Sequence, residues 1–260
     1  MDLGGSGVLD EAAFLDQLTA RLAELPGVLG VALGGSRAQG TARPDSDWDL
    51  AVYYRDVFDP QDLRDLGWPG EVSEIGGWGG GIFNGGGWLT VDGVAVDVHY
   101  RDLSVIDHIQ SEAEAGRFWT EPLMFHVAGI PSYLLLAELA LNRTLSGDLP
   151  RPDYPPALQA AAPGAWWSKA QMLFDYTARY HARQGRTMLC LGLLTEAAAV
   201  AAHAVLAEQA RWITNDKQLL AAAGLDTIDE LLIGVRSTDE LPGLVTNIRT
   251  LCERRLAEVS

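Results

Sequence analysis

Two aspartates stand one residue apart in the segment "GGSRAQGTARPDSDWDL", residues 34–50. In a β-strand successive side chains point to opposite faces, so Asp47 and Asp49 would share one face of the strand. Trp48 and Leu50 would share the other. Two carboxylates on one face repel each other and add nothing to an apolar core. The spacing therefore indicates a site for a positively charged ligand.

A third aspartate, Asp97, alternates with valines in the segment "VAVDVHY", residues 94–100. If this strand neighbours that of Asp47 and Asp49, and both pack their apolar faces on helices, the three carboxylates lie on one open face. Oxygen ligands favour Mg²⁺, which takes its remaining ligands from water and substrate phosphates. We therefore predict Asp47, Asp49 and Asp97 as metal ligands. The alternative for Asp97 is an exposed strand residue without a ligand.

The glycine–serine turn before these aspartates has the features of an anion site. A strand that ends at Gly34 and Gly35, with Ser36 at the start of a short helix, leaves backbone N–H groups at the positive end of the helix dipole. The glycines also allow the backbone to approach a phosphate closely. Phosphates at Ser36 and Mg²⁺ at the aspartates would form a nucleoside triphosphate site. Arg37 is a further candidate for phosphate contact, with a surface role as the alternative.

The elements that would position these residues follow from the apolar pattern. That pattern predicts a helix at 9–24, strands at 27–35 and 47–54, and a short helix near 60–67. The dipeptide Asp92-Gly93 between two apolar runs predicts a β-hairpin over residues 88–100. Asp102 can cap the helix that follows.

A glycine-rich segment, "GGWGGGIFNGGG" at residues 76–87, directly precedes this hairpin. It lacks the Gly-Lys-Ser/Thr ending of a P-loop, so we interpret it as a long hairpin loop. The aromatic residues in and beside it are candidates for stacking on a base or a sugar: Trp78, Phe83 and Trp88.

From residue 131 on, the sequence predicts only helices. The first covers 131–147, with Pro131 in its first turn and Gly147 after its end. Beyond a proline-rich link at 148–156, the remaining helices are expected near 164–184, 186–209, 215–223, 226–235 and 238–258. The chain thus divides into an α/β half and an all-helical half, with the boundary between residues 117 and 131.

The net charge of −16 over 260 residues is concentrated in the first part of the chain. Residues 1–150 contain 23 acidic and 8 basic residues, a net charge of −15. A protein that binds a nucleic-acid backbone needs a surplus of positive charge at its binding face, so a nucleic-acid partner is not expected. The charge suits a small cationic substrate instead.

The remaining bulk features indicate a cytoplasmic protein. Cys190 and Cys252 are too few and too far apart for a disulfide framework or a zinc site. No apolar run approaches the roughly 20 residues of a membrane span, and the start "MDLGGSGVLDEAAF" is acidic rather than signal-like. We therefore expect reduced thiols and no membrane partner.

These motifs resemble the DNA polymerase β-like nucleotidyltransferase superfamily. Its pattern is a Gly-Ser turn, a following strand with Asp-x-Asp/Glu, and a third acidic strand residue, matched here by "GGS", "SDWDL" and Asp97. The helical half is similar in general layout to the small-molecule antibiotic nucleotidyltransferases, such as the kanamycin, streptomycin and lincosamide enzymes. The resemblance implies an α+β fold, with a mixed-sheet nucleotidyltransferase domain at 1–127 followed by an all-helical bundle domain at 128–260.

The resemblance also implies a reaction. A nucleoside monophosphate would pass from a nucleoside triphosphate, expected to be ATP, to a hydroxyl, and pyrophosphate would leave. Two Mg²⁺ ions would clamp the attacking and leaving oxygens. Asp47 and Asp49 would bridge both ions, and Asp97 would bind the one nearer the acceptor and lower the pKa of its hydroxyl or take its proton. Gly35 and Ser36 would hold the triphosphate tail.

Some residues of the helical half are candidates as well. In this superfamily a basic residue of that half often contacts the triphosphate, and Lys169 is the first candidate, with Lys217 second. A solvated helix face is the alternative for Lys169. Glu138 and Glu196 lie in apolar helices, and an unpaired buried carboxylate is costly, so each should face a pocket or a partner. A cationic acceptor would be such a partner, and a structural arginine or histidine another; a helical-domain glutamate could also replace Asp97 as the base.

We expect an antibiotic-type nucleotidyltransferase with a small, cationic acceptor such as an aminoglycoside, and hence a role in antibiotic resistance. One alternative is a toxin–antitoxin nucleotidyltransferase that modifies a protein or a tRNA, although the acidic first half disfavours the tRNA version. The other is a non-catalytic nucleotide-binding regulator, which the presence of all three carboxylates disfavours.

Overall fold

A computed structural model describes residues 10–43 and 46–260 of the chain. Contacts divide it into two compact units, and each is described by itself. The first unit comprises Met1–Asp107 with Leu141–Arg151, and the second comprises His108–Ala140 with Pro152–Ser260. Residues 108–127 therefore group with the later helices, and the predicted domain limits of 1–127 and 128–260 stay a prediction.

The strands and the α-helices of the described residues are as follows. The strands are β1 (Val28–Leu33), β2 (Trp48–Tyr54), β3 (Gly70–Val72), β4 (Gly86–Val91), β5 (Val94–Asp102), β6 (Thr120–Leu123), β7 (His126–Pro131) and β8 (Arg143–Gly147). The α-helices are α1 (Glu11–Ala23), α2 (Gly35–Ala38), α3 (Pro60–Arg64), α4 (Leu103–Glu114), α5 (Leu134–Leu141), α6 (Pro156–Tyr180), α7 (Thr187–Glu208), α8 (Leu219–Ala223), α9 (Ile228–Ile233) and α10 (Leu241–Val259). The predicted start of the first helix, residue 9, lies outside the described residues.

The first unit is built on a mixed sheet in the order β3-β4-β5-β2-β1-β8 across its described strands. Strands β2 and β5 are parallel, while the other neighbours are antiparallel. The predicted hairpin between β4 and β5 is present, and its turn residues Asp92 and Gly93 have φ values of 50° and 81°. Positive φ at both positions is what a two-residue turn between twisted strands requires.

One face of this sheet is apolar and carries the core of the unit. Alternate residues of β2 and β5, among them Leu50, Val52 and Val98, are buried in the same cluster as the apolar stripe of α1. Phe14 of α1 meets Trp48 edge-on, with ring centroids 5.4 Å apart. The alternation therefore places the intervening residues of β2 and β5 on the opposite face, as the sequence predicts.

The expectation that residues from 131 on are all helical is wrong at one strand, β8. The predicted helix 131–147 is the shorter α5, and β8 follows it and pairs with β1 at the edge of the sheet, Gly147 opposite Gly30. A short edge strand, "RTLSG", buries too little to show an apolar alternation. The second unit also contains the antiparallel β6–β7 hairpin, which the sequence interpretation missed because Pro122 and Gly129 interrupt its pattern. The α+β class is confirmed, but the second part is not all helical.

The second unit is a helical bundle centred on α6 and α7. Helix α6 begins at Pro156 and continues through Pro163, so the predicted start at residue 164 is wrong. Proline is favourable in a first turn, and the alanine-rich segment after it is strongly helical. The single backbone hydrogen bond lost at Pro163 does not end the helix.

Helix α7 is an exception to the expectation that no segment approaches a membrane span. By length and composition this 22-residue helix could cross a membrane, and its most apolar window has a mean hydropathy of 1.8. Of its most apolar window, 67% is buried inside the protein. The core helix of a bundle has the same properties, because it is apolar on all sides.

Candidate functional site

Asp49 and Asp97 face each other across the parallel strands β2 and β5. They are paired in register, and both are half-buried on the face opposite the apolar core. Their flanking residues Trp48 and Val96 are buried on the core side. Neighbouring strands lie about 4.8 Å apart, so the two side chains start from adjacent points of the same open face. The structure thus brings together two of the three predicted carboxylates.

Asp47 does not share this arrangement. Strand β2 begins at Trp48, so Asp47 precedes the ladder, and it is exposed. Within residues 10–43 and 46–260, no group of three or more His, Cys, Asp or Glu side chains is gathered closely enough to hold a metal ion. The rule of alternating faces applies only inside a strand, which is why it predicted a closer triad. As a metal ligand, Asp47 stays a prediction.

The pair Asp49 and Asp97 fits a magnesium ion that arrives with a nucleotide. Mg²⁺ is usually held by one or two carboxylates together with waters and substrate phosphates, rather than by an all-protein cage. Two half-buried carboxylates at adjacent positions supply that donor set. Asp49 and Asp97 would therefore hold Mg²⁺, and the predicted number of two ions stays a prediction.

The glycine–serine turn lies directly against Asp49. The backbone N–H of Gly34 donates to the carbonyl oxygen of Asp49 at 2.7 Å. Gly35 has φ +58°, and a Cβ atom there would overlap the Oδ2 atom of Asp49. The lack of a side chain at Gly35 thus makes room for this carboxylate. Ser36, half-buried in the single helical turn α2, follows at once.

Arg37 is engaged by protein groups. Its Nε and Nη2 atoms donate to the carbonyl oxygen of Ser46 at 3.2 and 2.8 Å, and its Nη1 pairs with Glu11 at 2.9 Å. Its guanidinium lies 4.1 Å from the ring centroid of Trp48, and its side chain is only 9% exposed. These contacts fix the segment that leads into Asp47. They favour a positioning role, and phosphate contact by Arg37 stays a prediction.

The aromatic residues of the glycine-rich loop gather on the same open face. Trp78 stacks on Trp88 with ring centroids 4.8 Å apart and planes 20° apart. His99 meets Trp78 and Phe83 edge-on at 5.7 and 5.8 Å. Trp88 is paired in register with Asp97, so the aromatic cluster adjoins the aspartate pair.

Lys169 belongs to the second unit, where it has two partners. Its Nζ atom donates to the carbonyl oxygen of Ala128 at 2.9 Å and lies 3.4 Å from the Oε1 atom of Glu196. Both side chains line a cavity of about 570 Å³ beside the β6–β7 hairpin. Glu196 therefore has a pocket and a partner, where the sequence predicted one or the other, and the partner is a lysine rather than an arginine or a histidine. The contact of Lys169 with a triphosphate stays a prediction.

The sequence interpretation missed a polar cluster near this cavity. His126 Nδ1 lies 3.3 Å from Asp216, and the backbone N–H of Val127 donates to the same carboxylate at 2.6 Å. Although burial raises the pKa of Asp216, the hydrogen bonds from His126 and Val127 outweigh it and lower that pKa. Nearby, burial lowers the pKa of His203 to about 4, and its ring stacks on Trp166 at 4.6 Å. No sequence signal pointed to this cluster, because its members lie about ninety residues apart.

Comparison with known proteins supports one part of this description directly. Residues 15–79, a quarter of the chain, match the nucleotidyltransferase domain family. This segment contains the Gly-Ser turn and Asp49. A search of curated protein sequences found no match.

Similar solved structures include three proteins of low sequence identity. A nucleotidyltransferase-like protein from Exiguobacterium sibiricum is 12% identical, with 94% of this chain and 75% of that chain covered and a TM-score of 0.41. A spectinomycin adenyltransferase from Enterococcus faecialis, solved with ATP and spectinomycin, is 13% identical, with 95% and 98% covered and a TM-score of 0.38. A cyclic dinucleotide synthase from Elizabethkingia meningoseptica is 12% identical, with 94% and 92% covered and a TM-score of 0.27.

All three TM-scores are below 0.5, so the assignment of a nucleotidyltransferase domain depends on the family match at residues 15–79. Residues 15–79 carry a nucleotidyltransferase domain. The resemblance to the polymerase β-like superfamily and the expectation of an enzyme that transfers a nucleoside monophosphate are confirmed at this level.

Proposed function

We propose that this nucleotidyltransferase transfers the nucleoside monophosphate of magnesium-bound ATP to a hydroxyl group of a small, cationic acceptor. The observation that carries the proposal is the pair Asp49 and Asp97, side by side in register on the open face of the sheet. The Gly-Ser turn against Asp49 adds a place for the phosphates. A single carboxylate elsewhere on the surface would have neither a second carboxylate nor this turn beside it.

The reaction assigns a role to each of these groups. The hydroxyl oxygen of the acceptor forms a bond to the α-phosphorus, and the bond from that phosphorus to the bridging oxygen breaks. Pyrophosphate leaves with the electron pair, and the carboxylate of Asp97 takes the proton of the hydroxyl. Gly35 and Ser36 hold the leaving phosphates through backbone N–H groups, and Asp49 would hold the Mg²⁺ that binds the phosphates. Bound Mg²⁺ supplies the positive charge that offsets the charge developing on the phosphates.

The charge of the chain supports a cationic acceptor. Residues 1–150, which carry the aspartate pair, have a net charge of −15. A negative field raises the rate of encounter with a cation and lowers that with a polyanion such as tRNA. The attraction falls with added salt, because the Debye length shrinks to about 8 Å at physiological ionic strength.

The test is transfer by the full chain to a panel of aminoglycosides and lincosamides, with Mg²⁺ and ATP. Pyrophosphate release and the mass of the acceptor are measured. Asp97→Asn should fold normally and lose about a hundredfold to ten-thousandfold in transfer rate, the range for loss of a general base. Asp16→Asn makes the same chemical change on the exposed side of α1 and should retain full activity.

Two results would overturn this proposal. One is an Asp97→Asn variant that is as active as the Asp16→Asn control. The other is transfer to a partner protein or a tRNA with no small amine accepted at millimolar concentration, which would replace it with the toxin-like alternative.

A further inference from the structure

The open face of the first unit carries a preformed aromatic surface beside Asp97. We call it the aromatic shelf, and it consists of Trp78, Phe83, Trp88 and His99. Trp88 is 49% exposed although it stacks on Trp78. A large apolar side chain left half in water next to a reactive carboxylate is a feature of binding surfaces rather than of cores.

The glycine-rich loop holds this shelf in place. Gly86 lies beneath Trp78, where a Cβ atom would come within 2.6 Å of the indole. Asn84 anchors the loop by donating to the hydroxyl of Tyr54 at 2.8 Å, and Ile82 is buried. The lack of a side chain at Gly86 therefore leaves room for the ring of Trp78. A surface that is already ordered costs little entropy when a ligand binds.

The order of the strands places the shelf relative to the phosphates. The Gly-Ser turn follows β1, Asp49 lies on β2, Asp97 on β5 and Trp88 on β4, and these four strands are consecutive in the sheet. At about 4.8 Å per strand, Trp88 lies roughly 14 Å across the sheet from the end of β1. The aspartate pair lies between the turn and the shelf.

In phosphoryl transfer the attacking and leaving oxygens are roughly in line. If pyrophosphate leaves toward Ser36, the hydroxyl attacks from the opposite side, which is the side of Trp88. We propose that the aromatic shelf binds the acceptor, and that Trp88 is its specificity-determining residue for an amine-bearing ring. This proposal rests on the function proposed above.

The chemistry of the shelf selects the ligand class. The face of an indole attracts ammonium and guanidinium groups within about 6 Å, and tryptophan is the best ring for this contact. Arg101 already lies 5.2 Å from the centroid of Phe83, so a second cation is repelled from that ring. The stacked pair Trp78 and Trp88 is therefore where an amine would be seated, close to Asp97.

The experiment measures binding by calorimetry with the full chain, Mg²⁺ and a non-hydrolysable ATP analogue. The probes are kanamycin, streptomycin and fully N-acetylated kanamycin, in which neutral amides replace the ammonium groups. We expect the wild type to bind kanamycin or streptomycin more tightly than the acetylated probe. Trp88→Ala should weaken amine binding about tenfold and leave binding of the ATP analogue unchanged. Trp88→Leu, which keeps an apolar side chain suited to a strand, should lose the preference for the charged probe, and Trp88→Phe should keep part of it.

Tyr176→Ala is the control, because Tyr176 is also an aromatic residue, 52% exposed, on helix α6 of the second unit. It should bind every probe as the wild type does. Amine binding that is the same in Trp88→Ala, Trp88→Leu and wild type would overturn the shelf. Weaker binding of the ATP analogue in these variants would show that the shelf binds the nucleobase, and it would also overturn the proposal. A wild type that binds neither kanamycin nor streptomycin would overturn it as well. Failure of the ATP analogue to bind the wild type with Mg²⁺ would instead overturn the proposed function.

Discussion

Gly35→Ala separates the structural role of this turn from its role at the site. The residue has φ +58°, a conformation that costs a residue with a Cβ atom about 1–2 kcal/mol. The new Cβ would also overlap the Oδ2 atom of Asp49, and Cγ would lie 2.6 Å away. The carboxylate of Asp49 must therefore rotate out of its present position.

The two effects have different magnitudes and different readouts. Forcing a side chain off its rotamer costs about 0.5–1.5 kcal/mol, so the variant should lose roughly 2–3 kcal/mol in free energy of unfolding in all. For a chain of this size, that corresponds to a fall in Tm of about 2–4 °C per kcal/mol. The loss of Mg²⁺-dependent ATP binding should be much larger in proportion, because the displaced group is the one that we propose to hold the metal.

Gly40→Ala provides the matched control. Gly40 has φ +70°, and a Cβ atom there meets nothing within 4 Å. It should lose only the 1–2 kcal/mol of backbone strain, measured by urea denaturation, and should bind Mg²⁺ and ATP as the wild type does. If Gly35→Ala matches Gly40→Ala in both stability and nucleotide binding, the close packing of Asp49 on this turn has no functional role, and our reasoning is refuted.

Three further predictions concern stability and reactivity. Arg37→Ala removes the hydrogen bonds to Ser46 and the contact with Trp48, so urea denaturation should show a loss of about 2–3 kcal/mol; a loss below about 0.5 kcal/mol would contradict the positioning role. Burial holds the pKa of His203 at about 4, so between its unfolded value of 6.5 and 4 only the unfolded chain takes up the proton. The free energy of unfolding is therefore undiminished above pH 6.5 and falls by up to roughly 3 kcal/mol as the pH approaches 4. His203→Phe should flatten this fall in urea midpoints with pH. An equal slope in both proteins would count against the explanation. Burial raises the pKa of Cys252 to about 12, so a maleimide should label this thiol only in denaturant, and rapid labelling of the folded protein would be inconsistent with the core described here.

The sequence predicts the aspartate pair because it lies in strands with one buried face. Asp49 and Asp97 interrupt runs of apolar residues with a period of two, and a single register satisfies both strands. Asp47 follows the same spacing, but whether it belongs to the strand depends on where the ladder begins, and that boundary is a tertiary property. The role of Asp47 as a metal ligand therefore stays a prediction.

Other features depend on contacts between distant residues, so the sequence could not show them. Strand β8 forms because β1 offers an edge, not because "RTLSG" is strongly strand-forming. Arg37 contacts Ser46 and Trp48, which lie nine and eleven residues further on. The aromatic shelf requires Trp78 to fold back over Gly86, and only the three-dimensional course of the glycine-rich loop reveals this.

The central claim is that Asp49 and Asp97 form a site for Mg²⁺ that is completed by a nucleoside triphosphate. Thermal unfolding of the wild type with Mg²⁺, with ATP and with both tests it most directly. Because each ligand completes the coordination of the other, the two together should stabilise the protein by about 2.7 kcal/mol at a hundredfold excess over Kd, far more than the sum of the separate effects. Asp49→Asn should abolish this excess. Equal stabilisation by ATP with and without Mg²⁺, or an undiminished excess in Asp49→Asn, would contradict the account.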